Sequence, residues 1–210
     1  MSRITKVLTL VAALFALSTS ASTAAVQGQT AGTGQTQAVS AAVQAEASLR
    51  SKIVSIAKSE LANKSRNREK GAKNCNYYSG KVGGGSTKGC PKGWKSEAWC
   101  ADFLKYVWKQ AGASTSGITP AAASLYKYGK TKKTWNPGKS IKGVKVGDAI
   151  VYNLNSSGTW ASHVGIVTKV NTKTGKITVI SGNSGKNSMY VAERTFTPDG
   201  TVSGYASPKG

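Results

Sequence analysis

The most informative stretch of this 210-residue chain is Trp99-Cys100-Ala101-Asp102-Phe103, which sets a cysteine in the first turn of a predicted helix. We expect this helix over Ser96–Gln110, capped by Ser96, because apolar residues follow the cysteine at the spacing of one buried face. These apolar residues are Phe103, Leu104, Val107 and Trp108. Free N–H groups at a helix start stabilise a thiolate, so Cys100 is a candidate nucleophile. The alternative interpretation is a structural thiol packed against Leu104.

Helical patterns occupy the first half of the chain and strand patterns the second half. An N-terminal helix is predicted over Ala45–Ala62, and the polar, glycine-rich segment 63–95 is expected to form a long ordered loop. Runs rich in Val, Ile and Tyr predict five strands, at Ala149–Asn153, His163–Val170, Lys176–Ser181, Met189–Phe196 and Gly204–Ala206. Helices followed by consecutive antiparallel strands indicate an α+β fold, with the N-terminal helices packed on an antiparallel sheet.

Residues 1–25 have the pattern of a secretory signal peptide. Two basic residues precede an apolar run from Val7 to Leu17, and small residues follow it. The run is too short for a permanent membrane-spanning helix, so we expect a secreted protein without a transmembrane segment. Residues 26–44, rich in Ala, Gln and Thr, are expected to form a disordered spacer, and residues 45–210 a single catalytic domain.

The chain is strongly basic, with 29 Lys and Arg against 8 Asp and Glu, and a formal net charge of +21. Removal of the signal peptide takes away Arg3 and Lys6 and leaves +19. So large a charge favours a polyanionic partner, such as nucleic acid, an acidic lipid surface or a phosphate-bearing cell wall. For an exported protein we expect the anionic polymers of a cell wall rather than a specific nucleic acid. A basic surface that only keeps the protein soluble is the alternative.

Three cysteines, Cys75, Cys90 and Cys100, are expected to give one disulfide and one free thiol in an oxidising compartment. Cys75 and Cys90 flank a loop rich in Gly and Lys and are the favoured pair, although the spacing alone leaves the other pairings open. Cys100 would then be the free thiol. A metal site is not expected, because the chain has one histidine, few acidic residues and no CxxC or HxxxH pattern.

Two further polar residues lie at predicted strand ends. His163, the single histidine, opens the strand His163–Val170, and Asn183 follows the strand Lys176–Ser181. Each alone is more typical of a structural polar residue or of a turn. Together with Cys100 they supply a nucleophile, a base and a group that orients the base, in the chain order of papain-like enzymes.

Four blocks of sequence resemble the signatures of the CHAP family: Trp99–Phe103, Gly147–Val151, Ser162–Val167 and Ser181–Asn183. The similarity extends from about Lys92 to Pro208 and is greatest to secreted CHAP proteins of high-GC Gram-positive bacteria. It implies a papain-like (NlpC/P60-like) fold. It also implies a cysteine- and histidine-dependent amidohydrolase or peptidase, without a cofactor, that acts on bacterial peptidoglycan.

The resemblance assigns roles to the candidate residues. Cys100 corresponds to the nucleophile, His163 to the general base and Asn183 to the polar residue that orients the histidine. Many CHAP members carry an acidic residue where this chain has Ser181, so orientation would fall on Asn183 alone or on Ser181 and Asn183 together. A neutral partner stabilises an imidazolium less than a carboxylate does, and we therefore expect modest turnover. Asp148 is a second candidate, although a turn suits its position better.

Several aromatic residues are candidates for a substrate groove that binds a glycan or a stem peptide: Trp94, Tyr126 and Trp160. Core packing is the alternative for the aromatic residues and is favoured for Trp99 and Trp108. The expected partners are peptidoglycan and anionic wall polymers, and we expect a monomer. Two other functions remain open: an acyl transferase of transglutaminase type, and a non-catalytic cationic protein that binds the cell wall.

Overall fold

The computed structural model describes residues 31–210 and has helices packed against one face of an antiparallel sheet. The four helices are α1 (Ala31–Ala62), α2 (Tyr77–Val82), α3 (Cys100–Ala111) and α4 (Ser124–Thr131). This arrangement confirms the predicted α+β class. The predicted signal peptide lies outside the described residues.

Eight strands form two antiparallel sheets, and the larger has six strands in the order β3-β8-β4-β5-β6-β7. Its strands are β3 (Trp135–Pro137), β4 (Ala149–Tyr152), β5 (His163–Asn171), β6 (Lys176–Ser184), β7 (Tyr190–Phe196) and β8 (Val202–Ala206). The smaller sheet pairs β1 (Cys75–Asn76) with β2 (Lys95–Ser96). All five predicted strands are present, whereas β3 and the small sheet were not predicted.

The large sheet carries a separate apolar cluster on each face, because side chains alternate along a strand. The face toward α3 buries Phe103 and Leu104 of the helix against Val164 and Ile166 of β5. The opposite face carries a second apolar cluster, formed by side chains of the strands themselves and of adjoining loops. Its members include Ile150, Val167, Ile177, Val179 and Tyr205. Burial on both faces explains why the strands read as nearly continuous apolar runs.

Helix α1 begins at Ala31, so the prediction of a disordered spacer over 26–44 is wrong for residues 31–44. Val39 and Val43 are 64% and 61% exposed, and therefore tertiary packing does not hold this part of the helix. Ala and Gln favour helix, and the packed turns from Leu49 onward supply a nucleus from which the helix extends at little cost. Among the helices within residues 31–210, none combines the length and apolar character needed to span a membrane.

Helix α3 begins at Cys100 rather than at Ser96, so the prediction that Ser96 caps it is wrong. The hydroxyl of Ser96 instead donates a hydrogen bond of 2.8 Å to the carbonyl of Lys73, because Ser96 belongs to the small sheet. At the other end, Gly112 terminates the helix in the left-handed conformation, with φ of 93°. Such a terminus favours glycine, which has no Cβ to clash.

The segment 63–95 is ordered around a disulfide between Cys75 and Cys90, whose Cα atoms lie 5.4 Å apart. This confirms the favoured pairing and leaves Cys100 as the free thiol. The segment is not one long loop, since α2 lies inside it. Asn76 caps this helix, and its side chain accepts the Ser79 N–H. That cap is a local signal that the sequence carries in Asn76-Tyr77-Tyr78-Ser79.

Candidate active site

Cys100 is the first residue of α3 and lies at the edge of the core, with 6% of its surface exposed. Burial raises the pKa of its thiol, although the backbone N–H groups of Val164, Ala101 and Cys100 act in the opposite direction. The sequence predicted a thiolate stabilised by the helix start. The donors at the helix start are present, but desolvation outweighs them, so the net effect is a raised pKa of the thiol rather than a lowered one.

His163 is the first residue of β5 and lies opposite Tyr152 of β4, with the two ring centroids 6.0 Å apart. Burial lowers the pKa of His163 to about 4, so the imidazole is neutral at physiological pH, as a general base must be. The backbone N–H of Val164, the next residue, faces the Cys100 sulfur, so the backbone at the start of β5 lies near Cys100. Within the described part of the chain, the His163 ring has no hydrogen bond to Cys100, Ser181 or Asn183.

Asn183, in the left-handed conformation on β6, has both ends of its side-chain amide bonded. Its Oδ1 accepts the backbone N–H of Trp99 at 3.2 Å, and its Nδ2 donates to the carbonyl of Ser188 at 2.7 Å. The first of these bonds ties Asn183 to the residue immediately before Cys100. The predicted role of orienting His163 stays a prediction, and the structure gives Asn183 a second role at the start of α3.

Ser181 of β6 contacts Gly165 of β5, two residues after His163. Its hydroxyl oxygen packs over Gly165, where an added Cβ would overlap it. Since residues 163 and 165 share one face of β5, Ser181 and His163 project to the same side of the sheet. Ser181 therefore lies on the same side of the sheet as His163, and its predicted auxiliary role stays a prediction.

Trp99 is the most constrained residue of the site and confirms the prediction that it packs in the core. Its Nε1 donates a hydrogen bond of 2.9 Å to the buried Glu69, and its ring stacks on Tyr78 at 5.6 Å. Gly182 also contacts the ring closely, since an added Cβ would lie 2.6 Å from the indole. The sequence analysis did not identify Glu69 or Gly182 as neighbours of Trp99, because both contacts join segments that are distant in the chain.

The three predicted groove residues separate into two places. Tyr126 packs edge-on against Trp135, at 5.0 Å, and touches Gly158 in the loop that carries Trp160. Trp160 is 59% exposed. Trp94 lies in a different aromatic cluster, with its ring 6.2 Å from that of Tyr77. Tyr126 and the Trp160 loop thus form one surface, and Trp94 is not part of it.

Asp148 has a structural role. Its Oδ1 accepts a 2.7 Å hydrogen bond from Arg50 of α1, and its Oδ2 accepts the backbone N–H of Lys145. Both side chains of this ion pair are almost fully buried. The pair fastens α1 to the start of β4, which agrees with the interpretation that Asp148 suits a turn better than the site.

In the comparison with known proteins, one family model matches part of the chain. Residues 91–183 match the family model described as "CHAP domain", a range that contains Cys100, His163 and Asn183. No curated protein matches the chain. A solved structure titled "The crystal structure of Ly7917" is 14% identical, with a TM-score of 0.42, over 76% of this chain and 62% of that one. The chain therefore spans less than two thirds of the length of that protein.

Proposed function

We propose that this protein, whose residues 91–183 match the CHAP domain family model, is a secreted amidase or peptidase that hydrolyses an amide bond of peptidoglycan. The bond is either the N-acetylmuramoyl-L-alanine amide or a peptide bond of the stem or cross-bridge. One observation carries the proposal: the only free cysteine begins a helix, and its sulfur faces the backbone N–H next to the only histidine.

In the proposed reaction, neutral His163 takes the proton of the Cys100 thiol as the sulfur attacks the carbonyl carbon of the substrate amide. The carbonyl electrons move to oxygen, and the Cys100 N–H at the free start of α3 donates to that oxyanion. The intermediate then expels the amine, which receives the proton from the His163 imidazolium, and leaves a thioester on Cys100.

Hydrolysis of the thioester completes the cycle. His163 takes a proton from water while the water oxygen attacks the thioester carbonyl. Collapse of the second intermediate releases the carboxylic acid product, and the proton on His163 returns to the sulfur. Because burial favours the neutral form of both groups, we expect the proton to move from Cys100 to His163 only once substrate is bound.

Substrate recognition is proposed to involve the surface formed by Tyr126 and the Trp160 loop. Trp160 exposes most of a large ring, which suits stacking against a sugar or a peptide. The net charge of +21 supports an additional attraction to anionic polymers of the wall. Replacement of Trp160 by Ala is then expected to raise KM without lowering stability.

The test is digestion of purified peptidoglycan by the mature protein under a mild reductant that leaves Cys100 free. The wild type is expected to clear the suspension and release fragments whose new ends, identified by mass spectrometry, name the bond. Cys100→Ala and His163→Ala are expected to be inactive. Lys173→Ala is the matched control, since Lys173 is exposed in the turn between β5 and β6.

Two further arms separate the alternative functions. An added amine donor would become joined to the new acyl end if the protein were an acyl transferase rather than a hydrolase. Sedimentation with peptidoglycan at increasing salt tests the non-catalytic interpretation. If wild type and Cys100→Ala bind equally and neither cuts, the proposed hydrolysis is refuted and charge-driven binding remains.

A further inference from the structure

We propose that Glu97 and Asp102 share one proton, which holds the chain leading to Cys100 against the start of α3. This inference goes beyond the hydrolase proposal and does not depend on the reaction. The two acidic residues lie on either side of Cys100, Glu97 in the approach to the helix and Asp102 in its first turn.

The geometry brings the two carboxyl groups together over Gly83. A Cβ added at Gly83 would overlap both Glu97 Oε1 and Asp102 Oδ2, so these oxygens crowd the same point. Asp102 is fully buried. Glu97 Oε1 and Asp102 Oδ1 are shielded from solvent and have no hydrogen-bond partner within residues 31–210.

A half-buried carboxylate and a fully buried one in contact repel each other, and shielded acceptor atoms that lack a donor cost further free energy. One proton resolves both problems, because a carboxylic acid donates its O–H to the neighbouring carboxylate. Asp102 Oδ2 already has a donor, because the Ser79 hydroxyl donates to it at 2.6 Å and itself accepts from Asn76 at 2.8 Å. Glu97 Oε1 and Asp102 Oδ1 are the oxygens left without a donor.

The charges around the pair favour the proton on Glu97. Asp102 lies in the first turn of α3, where a negative charge is stabilised by the helix start. Burial and contact with Asp102 raise the pKa of Glu97 to about 7, against the weaker opposing effects of the Gly84 N–H and the Lys95 ammonium. The Asp102 charge also contributes to the raised pKa of the Cys100 thiol, so the pair is coupled to the nucleophile.

The sign of the pH effect follows from the folded and unfolded pKa values. Glu97 binds its proton more tightly in the folded protein than in the unfolded chain, where its pKa is 4.5. Its contribution to stability is complete below pH 4.5 and is lost as the pH rises through about 7. Glu97→Gln retains a donor toward Asp102 and does not titrate. This variant therefore does not lose that stability as the pH rises.

The test compares the thermal midpoints of the wild type, Glu97→Gln and the control Glu193→Gln between about pH 5 and pH 8. Glu193 is exposed on β7. We expect the midpoint of Glu97→Gln minus that of the wild type to increase by roughly 2–4 °C across this range. The corresponding difference for Glu193→Gln should stay constant. A constant difference for Glu97→Gln would overturn the proposal.

Two further measurements keep the test decisive. The carboxyl carbon of Glu97 in the wild-type protein should titrate near pH 7 by NMR, and titration near 4.5 would refute the shared proton even if Glu97→Gln did not fold. Millimolar Ca²⁺ should leave the midpoint of the wild type unchanged. A rise that Glu97→Gln abolished would mean that the carboxylates hold a cation, and the shared proton would be wrong.

Discussion

The side-chain oxygen of Asn183 accepts a hydrogen bond from the backbone N–H of Trp99, 3.2 Å away, although 84 positions separate the two residues in the chain. Trp99 occupies the cap position of α3 and has no side-chain cap of its own. Asn183 therefore satisfies a donor at the start of the helix from the neighbouring strand. This bond fixes the approach to Cys100 and makes Asn183 a positioning residue.

Asn183→Gly is expected to lower the free energy of unfolding by about 1–2 kcal/mol, because it removes the hydrogen bonds to Trp99 and Ser188. Glycine tolerates the left-handed backbone at this position, so the loss reports the side chain alone. We expect kcat on peptidoglycan to fall roughly 10- to 100-fold with little change in KM, because the nucleophile moves. Urea unfolding and steady-state kinetics measure the two effects.

The control is Asn187→Gly, since Asn187 is also left-handed, with φ of 56°, but its side chain is exposed. It should change neither stability nor kcat appreciably. Equal effects of the two variants would contradict the positioning role of Asn183.

Gly182→Ala is expected to destabilise the protein by about 1–3 kcal/mol, because the new methyl group would lie 2.6 Å from the Trp99 ring and from Phe103 Cβ. Displacement of Trp99 should also reduce activity. Gly200→Ala serves as the matched control, since an added Cβ meets no atom within 4 Å there. The interpretation fails if both variants unfold at the same urea concentration.

The stability of the protein is expected to depend on His163 between pH 4 and pH 6.5. Burial lowers the pKa of His163 to about 4 from 6.5, so the unfolded chain binds more protons in this window, and the contribution of His163 is lost as the pH falls. Urea unfolding should show the advantage of the wild type over His163→Gln growing by up to about 3 kcal/mol from the acidic to the neutral end.

Cys100→Ala is the control for this measurement, because the thiol that it removes does not ionise at acidic pH. Its difference from the wild type should stay constant across the same window. A constant difference for His163→Gln would show that His163 is as well solvated in the folded protein as in the unfolded chain.

Removal of the Cys75–Cys90 disulfide is expected to cost about 3 kcal/mol, since it closes a loop of 15 residues in the unfolded chain. The variant with both cysteines replaced by Ser should show this loss in urea unfolding. Reductant should destabilise the wild type to the same extent and leave the double variant unchanged. If reductant did not lower the stability of the wild type, the segment would be held by other contacts, such as the hydrogen bond of Ser96 to Lys73.

Local patterns in the sequence were enough for the fold class, most strand positions and the placement of Cys100 at a helix start, and they favoured the Cys75–Cys90 pairing without excluding the others. Each of these depends on residues close together in the chain or on a simple alternation of apolar side chains. The start of α3 at Cys100 was not predictable, because Ser96 is held by the carbonyl of Lys73 in the small sheet, a contact between distant segments. The helical turns before Ala45 were missed because the prediction depended on apolar periodicity, which this segment lacks. Its composition nevertheless favours helix.

Tertiary structure alone decided what surrounds the candidate residues. The sequence placed Cys100, His163 and Asn183 at ends of secondary-structure elements, but only packing determined that burial raises the pKa of the thiol and lowers that of the imidazole. Likewise, Asn183 bonds to Trp99 because β6 lies beside the start of α3. Periodicity fixes which face of an element is apolar, whereas desolvation and hydrogen bonding depend on which distant atoms share that face.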